Sequence, residues 1–171
     1  MGQMWYDTVL SENHYKERGN GMNAAICYSS QHHGNTLRVL EVLASRYDID
    51  LIDVTSRIAP HLEQYDAVGF ASGIYYSAFH PTVQHYADQY LPAGKDCFLI
   101  YTYGMKRKGY TGSMRKILQP KGCRILGEFG CRGLDTFGPF RLVGGIAKGH
   151  PNEEDFGNAL AFYHDLEEMK Q

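Results

Sequence analysis

Alternating strand and helix patterns in this 171-residue chain predict an α/β fold: a doubly wound parallel sheet of five strands with helices on both faces. Near-continuous apolar runs at 67–71 and 97–101 are typical of strands that are covered on both sides. Helical patterns separate the strand patterns along the chain. Such alternation favours a parallel sheet, because each right-handed crossover returns the chain to the same edge.

The predicted elements follow in order from Asn23. Strands are expected at 24–28, 50–53, 67–71, 98–102 and 124–128, and helices at 35–47, 81–90, 113–118 and 153–170. The last helix has the clearest start. Asn152 is a suitable cap, and the three acids Glu153, Glu154 and Asp155 follow it at the positive end of the helix dipole.

Residues 1–22 differ from the rest and are interpreted as an N-terminal extension to a single domain over 23–171. The extension is polar, lacks a sustained hydrophobic period and ends close to Gly19-Asn20-Gly21. It is either disordered or an arm that packs, through Trp5 and Tyr6, on a neighbouring subunit.

The composition restricts the classes of protein to which this chain can belong. With 43% hydrophobic residues, the chain can bury a core of its own. A formal net charge of -2 gives no reason to expect nucleic acid or an anionic membrane as a partner. No apolar run approaches the roughly 20 residues of a membrane span, and no signal-peptide pattern is present. The four cysteines are widely spaced, so a reduced, cytoplasmic setting is expected.

A polar loop joins the first strand to the first helix. Unsatisfied N–H groups and the helix dipole make such a loop a ready anion site. The loop lacks the Gly-Lys-Ser/Thr of a Walker loop and the three glycines of a dinucleotide fingerprint. A mononucleotide phosphate is therefore predicted here, the alternative being a simple helix cap, and a metal site is not expected. The candidate contacts are Ser29, Ser30, Gln31, His32, His33, Gly34, Asn35 and Thr36.

Two further loops are expected beside the first, because ligands of open parallel sheets lie at the carboxyl ends of the strands. Their aromatic side chains offer flat faces that suit stacking on a planar ring, although aromatics also cover sheet edges. The candidate residues are Ser72, Gly73, Ile74, Tyr75 and Tyr76 after the third strand, and Thr102, Tyr103 and Gly104 after the fourth. The bases at 106–108 are either solvated surface or attract an acidic partner or nucleotide phosphates.

Tyr28-Ser29-Ser30 followed by Gly34-Asn35-Thr36 resembles the phosphate loop of flavodoxin-like proteins, which hold FMN. The loop departs from the family pattern in its adjacent histidines and in being about one residue longer. The segments CRGLDTFGP at 131–139 and GGIAKGHPN at 144–152 resemble the signature of a poorly characterised microbial subfamily. The resemblance covers the chain from about Asn23 to its end. It implies a flavodoxin-like fold, FMN as cofactor and loops at 72–76 and 102–104 that flank the flavin ring.

The resemblance implies an FMN-binding redox protein in one of two versions. One transfers electrons between protein partners, and the other uses NAD(P)H to reduce a small acceptor. A nearly neutral chain with bases at 106–108 weakens the carrier version, since carriers of this family usually have an acidic surface. Flavodoxin-like reductases are often oligomers, so a homodimer is a possible state.

Two questions stay open from the sequence. The adjacent His32 and His33 leave room for a nucleotide-binding or interaction module without redox activity. Cys131 suits either a structural role or a redox role beside a flavin. No second thiol is close to Cys131 in the sequence, and Arg132 alone favours the thiolate only modestly.

Overall fold

A computed structural model describes residues 21–31, 33–56 and 61–170. The predictions for residues 1–20 and for His32 therefore lie outside the described residues. Met22, the last residue of the predicted extension, is buried in the hydrophobic core, and its N–H donates to Glu167 Oε1 over 3.1 Å. Core packing thus starts one residue before the predicted boundary.

The sheet has five parallel strands in the order β2-β1-β3-β5-β6, with a short β4 antiparallel to the end of β3. The strands are β1 Ala24–Ser29, β2 Ile49–Asp53, β3 Ala67–Tyr75, β4 Ala78–Phe79, β5 Asp96–Tyr103 and β6 Arg124–Arg132. All five predicted strands and the parallel sheet are confirmed. β3 and β6 each run four residues beyond their predicted ends, and β4 was not predicted.

The four predicted helices are confirmed, with ends displaced by at most two residues. They are α1 Asn35–Arg46, α2 Pro81–Tyr90, α3 Gly112–Leu118 and α4 Glu153–Glu168, and two 3-10 helices lie at Leu62–Gln64 and Gly138–Val143. The start of α4 is a reciprocal capping box. The Asn152 side chain accepts from Asp155 N over 3.1 Å, and the Asp155 carboxylate accepts from Asn152 N over 2.8 Å.

Helices cover both faces of the sheet, as the apolar strands predict. On β1, Ala24 and Ile26 face the core that holds α1 and α4, while Ala25 and Cys27 face the core that holds α2 and α3. Successive strand residues point to opposite faces, so a strand buried on both sides must be apolar at every position. Because helices cover both faces, the carboxyl edge of the sheet stays open. The strand order reverses there between β1 and β3, which is where open parallel sheets bind their ligands.

β3 continues past the sheet into a hairpin with β4. The connection is a two-residue turn, Tyr76-Ser77, with φ values of 49° and 66°. A turn with both central residues at positive φ matches the twist of a hairpin and normally takes Asn or Gly. Here the turn carries a large aromatic side chain out beyond the edge of the sheet.

Candidate functional site

A cleft of about 670 Å³ opens at the carboxyl edge of the sheet. This volume lies within the roughly 300–1,000 Å³ of small-molecule and cofactor sites. Four segments line it: the loop from Ser30 to the first turn of α1, the β3–β4 hairpin, the loop after β5, and residues 133–141. The structure therefore brings the three loops singled out in the sequence together, and adds a fourth wall.

The first wall is the loop that leads into α1. Ser30 Oγ accepts from Leu37 N over 3.2 Å, and its hydroxyl hydrogen remains able to donate to a ligand. The helix is preceded by Gly34 in the left-handed conformation, with φ 64° and no side-chain cap. Among the described residues, nothing accepts from the backbone N–H of Asn35 or Thr36. The helix start thus presents unsatisfied donors to the cleft.

The side chains of Asn35 and Thr36 hold the cleft walls together. Asn35 Nδ2 donates to the carbonyl of Leu134 over 2.8 Å, and Thr36 Oγ1 lies 2.9 Å from Thr102 Oγ1 in a buried pair. Both residues line the cleft, but these polar groups already have protein partners. A ligand there would meet the backbone of the first turn rather than these side chains.

Two residues expected to contact a ligand lie beneath the cleft. Ser29 is buried at the last position of β1, Ser72 is buried within β3, and neither lines the cleft. Ser72 Oγ accepts from His80 N over 2.9 Å, whereas the Ser29 hydroxyl has no hydrogen-bond partner among the described residues. The two hydroxyl groups therefore lie beneath the cleft, and the residues that line it come after them in the chain, from Ser30 and from Gly73 onward.

Tyrosines stand on two sides of the cleft. Tyr75 and Tyr76 come from the hairpin, and Tyr103 and Tyr110 from β5 and the loop after it. The rings of Tyr103 and Tyr110 lie 5.8 Å apart, centroid to centroid, and the Tyr110 hydroxyl donates to the carbonyl of Met105. These contacts fix the orientation of the second pair, so a planar group could stack between the two sides.

The fourth wall, residues 133–141, closes on the first loop and on the loop after β5. His33 Nε2 lies 2.9 Å from Thr136 Oγ1. Gly104 allows the close approach of Asp135, because a Cβ at position 104 would lie 2.5 Å from the Asp135 Cβ. Most of this wall belongs to the CRGLDTFGP segment at 131–139, which the sequence did not predict to lie at the site. The glycines of this segment were the sequence feature that could have indicated close packing here; Gly133, for example, lies directly against the Asn35 side chain.

The cleft is positively charged at its mouth. Arg107 and Arg141 line it, and both are exposed. Among the described residues that line the cleft, Asp135 supplies the one carboxylate, and this carboxylate accepts from Phe137 N over 2.8 Å. The electrostatics therefore suit an anionic ligand.

Comparison with known proteins identifies the family. A family model described as a flavodoxin domain matches residues 25–133. An uncharacterized protein of Methanocaldococcus jannaschii is 36% identical over 143 residues, which cover 82% of this chain and 95% of the relative. The chain belongs to the flavodoxin domain family. The match contains the first three cleft walls of this flavodoxin domain and ends at Gly133, where the fourth begins.

Solved structures resemble this flavodoxin domain along most of their length. A flavodoxin from the domain Archaea has a TM-score of 0.62 at 16% identity and covers 86% of this chain and 98% of its own. The flavodoxin of Streptococcus pneumonia TIGR4 has a TM-score of 0.60 at 16% identity and covers 86% and 99%. At this identity the likeness shows the fold, in agreement with the strand order.

Cys131 is a poor candidate for chemistry in this flavodoxin domain. Its side chain is buried and does not line the cleft. Burial, with a smaller contribution from the charge of Asp155, raises the pKa of the Cys131 thiol far above neutrality. Since the thiolate is the reactive form, the thiol stays protonated and unreactive at neutral pH.

Metal sites and membrane-spanning helices are absent from the described part of the chain. No group of three or more His, Cys, Asp and Glu side chains there is arranged to hold a metal ion. None of the helices in those ranges combines the length and the apolar character that crossing a bilayer requires.

Proposed function

We propose that this flavodoxin domain binds FMN in the cleft and acts as a redox protein. One observation carries the proposal: a single cleft of about 670 Å³ contains both a helix start without a side-chain cap and tyrosines on two sides. FMN joins a phosphate to a planar ring system, and the two halves of the cleft match these two halves of the molecule. The bound flavin would supply the electron-transfer chemistry, while the protein supplies binding, orientation and electrostatics.

The phosphate would bind at the loop before α1. The Ser30 hydroxyl and the backbone N–H groups of Asn35 and Thr36 are the donors that the described residues leave available. A phosphate dianion is stabilised at such a place by hydrogen bonds and by the positive end of the helix dipole. Gln31, His32 and His33 complete the proposed loop, and Gly34 leaves open space because no atom lies within 4 Å of a Cβ built there.

The ring would lie between the hairpin and the loop after β5. Tyr75 and Tyr76 are the proposed contacts on one side, and Tyr103 on the other. The cleft is also lined by Gly73, Ile74 and Gly104. Their backbone N–H and C=O groups could form hydrogen bonds to the edge of the ring.

Two redox roles remain within the proposal, electron transfer with a protein partner and NAD(P)H-linked reduction of a small acceptor. Anaerobic mixing of the FMN-loaded protein with NADH or NADPH separates them. Rapid loss of flavin absorbance supports the NAD(P)H-linked role. Flavin that stays oxidised with both nucleotides, but is reduced by dithionite, supports electron transfer with a protein partner.

The proposal itself is tested by the absorption spectrum. The purified protein is incubated with excess FMN, desalted, and its visible spectrum is recorded. We expect flavin absorption to elute with the protein at about one flavin per chain, the stoichiometry of a single cleft. Protein that elutes without flavin after this treatment would refute the proposal.

A further inference from the structure

The charges of this chain are strongly segregated, although its net charge is only -2. Residues 98–152 contain ten Lys and Arg but two Asp and Glu. The remaining residues contain seven Lys and Arg and 17 Asp and Glu. The half of the sheet that ends in β5 and β6 is therefore positive and the rest of the chain is negative. Such a distribution sets up a field at one side of the molecule.

Part of this positive charge surrounds the mouth of the cleft. Lys106, Arg107 and Lys108 lie in the loop after β5, and Arg141 lies in the 3-10 helix Gly138–Val143; we call these four residues the basic rim. All four are exposed, and Arg107 and Arg141 line the cleft. None of the four forms an ion pair within the described ranges, where Arg115 and Arg124 are paired with carboxylates.

Exposed apolar side chains lie beside the basic rim. Tyr76 is 88% exposed, Phe137 60% and Leu142 89%. The Tyr76 and Phe137 rings meet edge to face across the mouth, with centroids 5.5 Å apart. Single exposed apolar residues are ordinary, but here Tyr76 and Phe137 line the cleft together, and Leu142 follows Arg141 in the same 3-10 helix. An apolar centre with a charged surround is the usual anatomy of a transient protein interface.

We propose that the basic rim and its apolar neighbours dock a redox protein with an acidic surface around its own cofactor. The proposal extends the proposed function, because it assumes that the cleft holds a redox group. In such a complex one electron would pass between the partner's redox centre and the bound flavin, so that one centre is oxidised and the other reduced, and no covalent bond would change.

The arrangement of the bases favours a protein over a small anion. A small phosphate compound is held by donors that converge on it, often bidentate. The bases of the rim are instead exposed and lie on two separate segments, three in the loop after β5 and one in the 3-10 helix Gly138–Val143. Dispersed charge of one sign steers the encounter of two macromolecules and raises the association rate.

The first test measures docking directly and does not depend on bound flavin. A small acidic ferredoxin is titrated into the isotope-labelled full chain while backbone amide shifts are recorded, with and without FMN. We expect shifts at 104–108 and 136–143 that weaken as salt rises from about 20 mM to about 300 mM, because the Debye length shrinks over this range. Cytochrome c, a basic protein, serves as the control and is expected to leave these amides unshifted.

Charge-reversal variants test the role of the basic rim. Lys108→Glu and Arg141→Glu should each weaken ferredoxin binding by about tenfold, because the introduced carboxylate repels the acidic surface. Lys116→Glu is the matched control, since Lys116 is exposed on α3 and does not line the cleft. It makes the same charge change as Lys108→Glu and should alter binding by less than about twofold.

Four outcomes would overturn the docking proposal: no binding of ferredoxin, equal effects of the rim and control variants, binding of cytochrome c at the rim, or shifts at the rim with phosphatidylglycerol vesicles but not with ferredoxin. Flavin content is measured on the same samples by absorbance. Protein that holds FMN but does not bind ferredoxin contradicts the docking proposal alone. Protein that binds ferredoxin but takes up no FMN contradicts the proposed function alone.

Discussion

Thr36 and Thr102 line the cleft and share a buried hydrogen bond of 2.9 Å between their hydroxyl groups. Thr36 lies in the first turn of α1 and Thr102 near the end of β5, so the bond joins two cleft walls that are 66 positions apart in the chain. This pair therefore adds a side-chain link between the proposed phosphate site and the proposed ring site, beside the pairing of the strands.

This pair gives the first prediction. Thr36→Val leaves the buried Thr102 hydroxyl without this partner and should lower the free energy of unfolding by about 1–3 kcal/mol. Thr102→Val should do the same. The double variant should lose less stability than the two single variants lose together, because neither buried hydroxyl of the pair remains without a partner. Urea unfolding of the four proteins measures this, and additive losses would contradict the account.

A second prediction compares two neighbouring serines. Ser30→Ala removes the acceptor of Leu37 N at the start of α1. The substitution should lower the free energy of unfolding by about 1 kcal/mol. It should also weaken FMN binding about tenfold, which is the effect of losing one hydrogen bond to a charged group. Ser29→Ala is the control, because the Ser29 hydroxyl is buried with no partner among the described residues. Its FMN affinity should match that of the wild type, and its free energy of unfolding should be equal or higher, because the substitution removes a buried hydroxyl that has no partner. Equal effects of the two substitutions on FMN binding would contradict the assignment of Ser30.

A third prediction concerns the turn that carries Tyr76. Ser77 has a φ of 66°, in the left-handed region that side chains rarely adopt. Ser77→Gly should raise the free energy of unfolding by about 1 kcal/mol, because glycine takes this conformation without strain. Ser77→Val should lower it, since a β-branched residue is disfavoured there. Thermal unfolding measures both, and a stabilising valine would refute the turn geometry.

The pH dependence of stability gives a fourth prediction. Hydrogen bonds from Arg124 at 2.8 and 2.9 Å, with a further contribution from Lys170, hold the pKa of Asp96 below its usual range. A carboxyl whose pKa is lowered by folding stabilises the protein above its unfolded pKa of about 4. This stability is lost as the pH falls through the lower, folded value.

Asp96→Asn tests this dependence. The variant should be less stable than the wild type at neutral pH and should show a shallower loss of stability below about pH 4. Chemical denaturation at a series of pH values measures it. Parallel curves for the two proteins would mean that Asp96 does not contribute.

The regular elements were predictable because their signals are local. The apolar strands and the acid-rich start of α4 are visible within a few residues of sequence. β4 was missed because Ala78–Phe79 is too short to show a period of two. The end of β3 was set too early, since Ser72 and Gly73 suggest a loop while the hairpin continues the strand to Tyr75.

The site was predictable in outline and not in its individual contacts. The three polar and aromatic loops follow strands that a parallel sheet must bring to one edge. Which serine faces the cleft depends on strand alternation, and Ser29 and Ser72 are buried beneath it. The fourth wall is fixed by the bonds of Asn35 to Leu134 and of His33 to Thr136, which span 99 and 103 positions. Contacts of that range leave no periodic signal in the sequence.

Calorimetric titration of the protein with FMN and, separately, with riboflavin tests the central claim most directly. The two ligands share the ring and differ in the phosphate, so the difference in their affinities reports the loop before α1. We predict binding of FMN at about one per chain and of riboflavin at least about a hundredfold more weakly, the effect of two hydrogen bonds to a charged phosphate. Equal affinities, or no heat with either ligand, would contradict the account.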